Sequence, residues 1–180
     1  LHIQGSGVLE FPGGTRQGVR YQGSNKYSYN GIGKLMIRDG VITTGEGSMQ
    51  GIKKYFANNP QNISKYLNQN KRYIFFSLSD EGAIGSGGAE LVGGRSIATD
   101  KSIYPAGGLV FVKIRKPVLN ANNKIKSWEQ ISRFVIDQDT GNAIRGKARA
   151  DLYFGTGQKA GAMAGHYHEK GEGYYLIKKN

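Results

Sequence analysis

The sequence predicts a mainly β protein with a few short helices, most of them in its first half. Three observations carry that expectation. The chain has 180 residues, of which 28 are glycine, with no Gly-X-Y period. Hydrophobic residues make up 38% and charged residues 21%, enough apolar content to fold around a core. The glycines separate short β-rich runs, as tight turns between strands require.

Taken in chain order, Val8-Leu9-Glu10-Phe11 reads as a strand ended by the breaker Pro12-Gly13-Gly14, and Gly18-Val19-Arg20-Tyr21 precedes a polar Gly/Ser/Asn loop. Ile32 to Asp39 reads as a short helix stopped by Gly40. Ser48 is placed to cap a helix whose apolar face is Met49, Ile52, Tyr55 and Phe56. Asn59-Pro60 ends that helix and opens another with a stripe of Ile63, Tyr66 and Leu67. These stripes are packing faces. Tyr73-Ile74-Phe75-Phe76 suits a buried strand.

The Gly/Ser/Ala-rich stretch Asp80 to Gly94 reads as a linker or long loop, which divides the chain into residues 1–80 and 81–180. Beyond it the pattern is β: Arg95 to Thr99, Gly108 to Ile114, Ser132 to Asp139 and Tyr174 to Ile177. Asn120 to Lys126 is a polar hairpin loop, and Gln158 to Ala164 a small helix. Short strands joined by glycine turns fit a small closed barrel.

Lys and Arg outnumber Asp and Glu by 25 to 13, a net charge of +12. This favours an anionic partner. The charges are scattered and no nucleic-acid motif is visible, so solubility is the simpler reading. The absence of cysteine excludes disulfides and thiolate metal sites. No apolar run approaches bilayer-spanning length. The chain opens at Leu1-His2-Ile3 without methionine, so a missing N-terminal segment is expected.

Nucleophile triads fail, since there is no cysteine and no Gly-x-Ser-x-Gly elbow. His166 and His168 alternate, but two histidines fall short of a metal set and read as surface residues. The few acidic residues say more. Asp100, Asp139 and Asp151 each abut an expected strand in an apolar context, where carboxylates are candidates for acid/base work. The competing reading is that they cap turns, and Asp139-Thr140-Gly141 is a good turn sequence by itself.

Gln138-Asp139-Thr140-Gly141-Asn142-Ala143-Ile144-Arg145-Gly146 with Arg149-Ala150-Asp151-Leu152-Tyr153-Phe154-Gly155 resembles the three-aspartate (3D) domain of the membrane-bound lytic transglycosylase A family. Arg95 to Asp100 with Ile103 to Gly107 resembles that domain's first aspartate segment. Upstream, His2-Ile3-Gln4-Gly5-Ser6-Gly7, Ile32-Gly33-Lys34, Ser48 to Ile52 and Tyr73 to Phe76 are similar to the family in the same order, as are Gly155-Thr156-Gly157 and Ala160-Gly161 downstream.

The resemblance implies a double-psi β-barrel in residues 81–180 and, in residues 1–80, part of a second, groove-forming β-domain carrying short helices. It implies cleavage of the MurNAc–GlcNAc bond of peptidoglycan with formation of 1,6-anhydroMurNAc. Asp151 falls on the general acid/base, and Asp139 on an aspartate that supports it. Gln4, Ser6, Gly7, Gly141 and Ala143 fall on substrate-binding positions, and Asp100 on a structural one. Asp137 has no counterpart in the pattern and is treated as incidental. For Asp151 to act as an acid, burial beside Leu152 and Phe154 and the charge of Asp139 are expected to favour its protonated form.

No metal or cofactor is implied. The expected partners are peptidoglycan glycan strands and an N-terminal segment or companion chain of the same protein. Nucleic acid is not among them, and membrane contact would come only through a lipid anchor outside this chain. The implied location is the periplasm, at the outer membrane. Two other readings are a glycan-binding double-psi barrel without activity, which the intact Asp139 and Asp151 argue against, and a basic nucleic-acid-binding β-barrel using Tyr21, Tyr27 and Tyr29 as stacking platforms.

Overall fold

A computed structural model describes residues 1–2, 5–80 and 82–179. The chain divides into two compact units, Leu1–Gly5 with Arg20–Ser77, and Ser6–Val19 with Leu78–Asn180. Strands β1 (Ser6–Glu10), β2 (Arg16–Ser24) and β3 (Ile74–Ser79) form a sheet in that order, and the unit boundaries fall inside β2 and β3.

The first unit is held by a small helical core. Helix α1 (Ile32–Arg38) ends on Asp39, and Gly40 leaves it at φ +70°, a left-handed conformation that costs glycine no Cβ clash. Helix α2 (Met49–Asn58) starts where the Ser48 hydroxyl accepts the Gly51 amide at 3.2 Å. Pro60 opens a 3₁₀ turn that runs into α3 (Ile63–Leu67). Leu35, Met36, Ile42, Ile52 and Tyr66 are buried together. Met49 and Leu67 are exposed, so each expected stripe is narrower than its spacing suggests. Strand β3 is likewise not buried throughout: Ile74 faces inward while Tyr73 and Phe75 are about half exposed.

The second unit is built on a five-stranded sheet of order β7-β4-β6-β5-β8, with β4 Ser96–Thr99, β5 Leu109–Leu119, β6 Ile125–Asp139, β7 Ala150–Leu152 and β8 Glu172–Tyr175. Strands β4 and β6 run parallel, and the other neighbours antiparallel. The β5–β6 hairpin is much longer than expected. Its turn is pinned by the Asn120 side chain, which accepts the amides of Asn122 and Lys124. Alternation then sorts the faces. Ile97, Val110, Val112 and Val135 form the core, with Leu152 and Tyr175 packed against it. The other face of β5 and β6 carries the cross-strand pairs Leu109–Ile136 and Phe111–Phe134, and Leu109, Ile136 and Phe134 are exposed. The short helix α4 (Gln158–Ala164) buries Ala160. The fold is therefore mainly β with a few short helices, as the sequence predicts.

Candidate active site

Strand β4 is the centre of the site. It is the most buried strand of the sheet, and all four of its residues are covered. Ala98 pairs with Asp139 of β6 on one side and with Asp151 of β7 on the other. The two aspartates are thus two strand spacings apart, about 10 Å between Cα atoms.

A bulge produces this arrangement. Ile97 pairs with Asp137, but Ala98 pairs with Asp139, so Gln138 is the extra residue. Without the bulge, simple alternation would put Asp137 and Asp139 on the same face. With it, Asp139 moves to the Ala98 side, and Asp137 stays with Ile97.

Asp139 is half-buried, and its Oδ1 accepts the Ser86 amide at 2.9 Å. Ser86 lies in the stretch that reads as a linker or long loop in the sequence. Of the two, the structure has a loop, closed by the Ile84–Glu90 bridge and seated on β6 through Gly87 N to Gln138 O at 3.3 Å. A Cβ on Gly85 would lie 2.4 Å from the Gln138 carbonyl oxygen, so this approach requires glycine.

Asp151 is about half exposed. Arg149 precedes it by two residues, and on an extended chain such residues share a face. Arg149 binds both carboxyl oxygens, Nε to Oδ1 at 3.0 Å and Nη2 to Oδ2 at 3.2 Å. Its Nη1 donates to the Ala143 carbonyl at 2.8 Å. The hydrogen bonds to Asp151 push the Arg149 guanidinium above its ordinary value. The burial expected around Asp151 is thus not found: Leu152 points to the core face, and the partner of Asp151 is a cation.

Asp100 is 4% exposed and ties the end of β4 to the loop before β7. It accepts the amides of Gly146 (2.9 Å) and Ser102 (3.1 Å), the Ser102 hydroxyl (2.8 Å) and Arg145 Nη1 (3.3 Å). These bonds, the Gly146 amide foremost, lower its pKa from the ordinary 3.8 to about 2.

Asp137 is the main residue the sequence analysis undervalued. Far from incidental, it has no exposed surface. It accepts the Thr99 hydroxyl at 2.5 Å and the Tyr175 hydroxyl at 2.6 Å, and is ion-paired with Lys101. Burial, then the bond to Asp137, raises the Tyr175 phenol well above its ordinary value. Tyr175 also stacks on Tyr104 with centroids 4.6 Å apart. No local signal marks it: along β6 the parity of Asp137 reads Ile131, Arg133 and Val135, no more apolar than Ser132, Phe134 and Ile136 on the other face.

Of the remaining expected site residues, Gln4 lies outside the described residues. Ser6 and Gly7 lie in β1, and among the described residues no hydrogen bond joins them to either aspartate. Gly141 and Ala143 are in the loop between β6 and β7, Gly141 accepting the Ile144 amide and Ala143 holding Arg149. The two histidines lie after α4 rather than on a strand, and both are exposed.

Residues 1–77 match the family model described as the MltA specific insert domain, and residues 95–177 match the 3D domain. The chain belongs to the MltA family. It is 33% identical to the membrane-bound lytic murein transglycosylase A of Vibrio cholerae over 183 residues, which is 100% of this chain and 49% of that protein. With the Escherichia coli K12 protein of the same name it shares 31% over 179 residues, 98% of this chain and 48% of the relative. The chain thus spans about half the length of these relatives. Among solved structures it is similar to MltA from Neisseria gonorrhoeae, with TM-score 0.86, 37% identity and coverage of 98% of this chain and 44% of that one. It is also similar to E. coli MltA with bound chitohexaose, with TM-score 0.81, 31% identity and coverage of 99% and 53%. Asp100, Asp139, Asp151, Gly141 and Ala143 all lie in the part matched to the MltA-family 3D domain; Gln4, Ser6 and Gly7 lie in the insert domain.

Proposed function

We propose that this chain carries the catalytic aspartate of a lytic transglycosylase that cleaves the β-1,4 bond between MurNAc and GlcNAc in peptidoglycan. The carrying observation is that Asp139 and Asp151 sit opposite the same residue, Ala98, in a sheet matched to the 3D domain. Support also comes from relatives named as lytic murein transglycosylases and from a similar structure that holds a chitin oligosaccharide.

In this reading Asp151 protonates the bridging oxygen as the bond to C1 of MurNAc breaks. The C6 hydroxyl of the same MurNAc attacks C1, and the Asp151 carboxylate takes its proton, leaving a 1,6-anhydro ring. A usual glycosidase needs a second carboxylate to attack C1 or to activate water. Here the nucleophile already belongs to the substrate, so proximity replaces a second catalytic side chain. Asp139, held by Ser86, supplies negative charge near the positive charge that grows on the sugar. Ser6, Gly7, Gly141 and Ala143, together with Gln4, contribute to the glycan surface, and Asp100 anchors the loop that carries part of it.

The chain spans about half the length of its relatives, and in this reading an N-terminal segment or a companion chain of the same protein contributes the rest of the surface that binds glycan strands. The relatives are named membrane-bound, and we place this protein likewise in the periplasm, held at the outer membrane by a lipid anchor outside this chain. Among the described residues no helix is long and apolar enough to cross a membrane. A double-psi closure of the sheet belongs to the same proposal.

The test is release of 1,6-anhydromuropeptides from purified sacculi by the full-length protein, read by mass spectrometry. Asp151→Asn should lower release by about 10²- to 10⁴-fold, the usual contribution of general acid–base catalysis, with glycan binding retained. Near-normal release by that variant removes Asp151 from the role. Reducing-end MurNAc as the wild-type product makes the protein a muramidase instead.

A further inference from the structure

Asp151 has two carboxyl oxygens, and both are occupied. Arg149 donates Nε to one and Nη2 to the other, while its Nη1 is braced on the Ala143 carbonyl. An arginine fork on both oxygens is the partner of an ionised carboxylate. A carboxyl that protonates a glycosidic oxygen needs one oxygen that carries a proton and is free to face the substrate.

Among the described residues no other cation contacts this carboxyl. Strand β7 pairs with β4, whose residues Ser96, Ile97, Ala98 and Thr99 carry no charge. At the end of β4, Asp100 is engaged by Arg145 and Lys101 by Asp137. Across β4, Asp139 adds a negative charge opposite Ala98. Lys147, in the loop before β7, lends its carbonyl to Tyr104.

We propose that Arg149 is the positioning residue that decides when Asp151 can give up a proton: its fork clamps both oxygens in the free protein and must part for the reaction to begin. This rests on the reading of Asp151 as the acid. Both side chains are about half exposed, so the fork can open without disturbing the core, while the Nη1 bond to Ala143 keeps the guanidinium nearby. An opposite charge beside a carboxyl favours its ionised form. With Arg149 in place, neither carboxyl oxygen is free to face the glycosidic oxygen, so the fork must open before the proton is passed.

The experiment measures anhydromuropeptide release by the full-length protein as a function of pH. In Arg149→Gln the alkaline limb of the rate profile should move up by about one pH unit or more, with KM for sacculi within about twofold of wild type, as expected where binding is untouched. Arg149→Lys keeps the charge without the fork, and its limb should also move up, though less than that of the glutamine variant. An Arg149→Gln limb that overlays wild type overturns the proposal, and so does an Arg149→Lys limb that overlays wild type, since the fork would then have no role. If Arg149→Gln does not fold, the wild type decides: raising salt from about 0.05 M to about 0.5 M screens a half-exposed pair, so the limb should again move upward. A limb indifferent to salt then counts against the clamp. Asp151→Asn separates the two ideas. Normal release by that variant sinks the assignment of the acid; abolished release with an unmoved Arg149→Gln limb sinks the role of Arg149 alone.

Discussion

Four aspartates lie within or beside three neighbouring strands, β4, β6 and β7, and their partners set them apart. Asp100 is saturated by amides and by Arg145, Asp137 is sealed in the core with Lys101, Asp139 takes a loop amide, and Asp151 faces outward under Arg149. Asp100 is depressed from 3.8 to about 2. A depressed carboxyl stabilises the fold above its unfolded pKa, and the contribution fades as pH falls through the folded one. Asp100→Asn should therefore lower the thermal midpoint at neutral pH, and the gap to wild type should close between pH 3.8 and about 2. Thermal melts at several pH values check this. Lys101→Met would leave the buried Asp137 carboxyl without its ion-pair partner, which costs about 3–5 kcal/mol. Adding Asp137→Leu should recover much of that loss, because replacing both members of a buried pair by apolar groups is often neutral. Urea denaturation of the two variants reads it directly.

At the scale of elements, the β6 bulge and the loop over Asp139 matter most. The bulge lets one strand bury Asp137 and present Asp139 on the opposite face two residues later. The loop at residues 82–91 depends on Gly85, whose missing Cβ admits the Gln138 carbonyl and the Leu91 side chain. Gly85→Ala brings a methyl to 2.4 Å from backbone oxygen, which cannot yield as a side-chain tip can. We expect overpacking to cost about 1–3 kcal/mol, seen as a lower urea midpoint. Loss of the Ser86 bond to Asp139 should lower product release beyond what stability explains. Gly88, with open space around its absent Cβ but φ +79°, should suffer from alanine only through backbone strain, and less.

For the whole molecule, the outer face of β5, β6 and β8 is the conspicuous feature. Leu109, Phe134, Ile136, Tyr174 and Leu176 are exposed there. Clustered apolar surface of this kind drives association. The 180-residue chain alone should self-associate in gel filtration. Phe134→Lys with Phe111→Thr should return it to monomer size without moving its melting midpoint downward by more than a degree or two, since neither ring belongs to the buried cluster. Association unchanged by that double variant would show that another surface is responsible.

Much of this was legible from local pattern. Glycine-separated runs announced the strands, Ser48, Gly40 and Pro60 announced the helix boundaries, and the spaced aspartates pointed to the sheet end where Asp139 and Asp151 meet Ala98. These signals are local because caps, turns and alternation act within a few residues. The sequence by itself also determined which families of residues are present: no thiol chemistry, three aspartates beside strands, and a basic excess. The burial of Asp137 and the exposure of Asp151 were not legible, since both depend on strands distant in sequence: Asp137 meets Tyr175 across 38 residues, and Ser86 reaches Asp139 across 53. Only the tertiary structure decided which aspartate is locked in the core and which meets solvent under an arginine, because register between strands, and not the order of residues along one of them, fixes the face on which a side chain emerges.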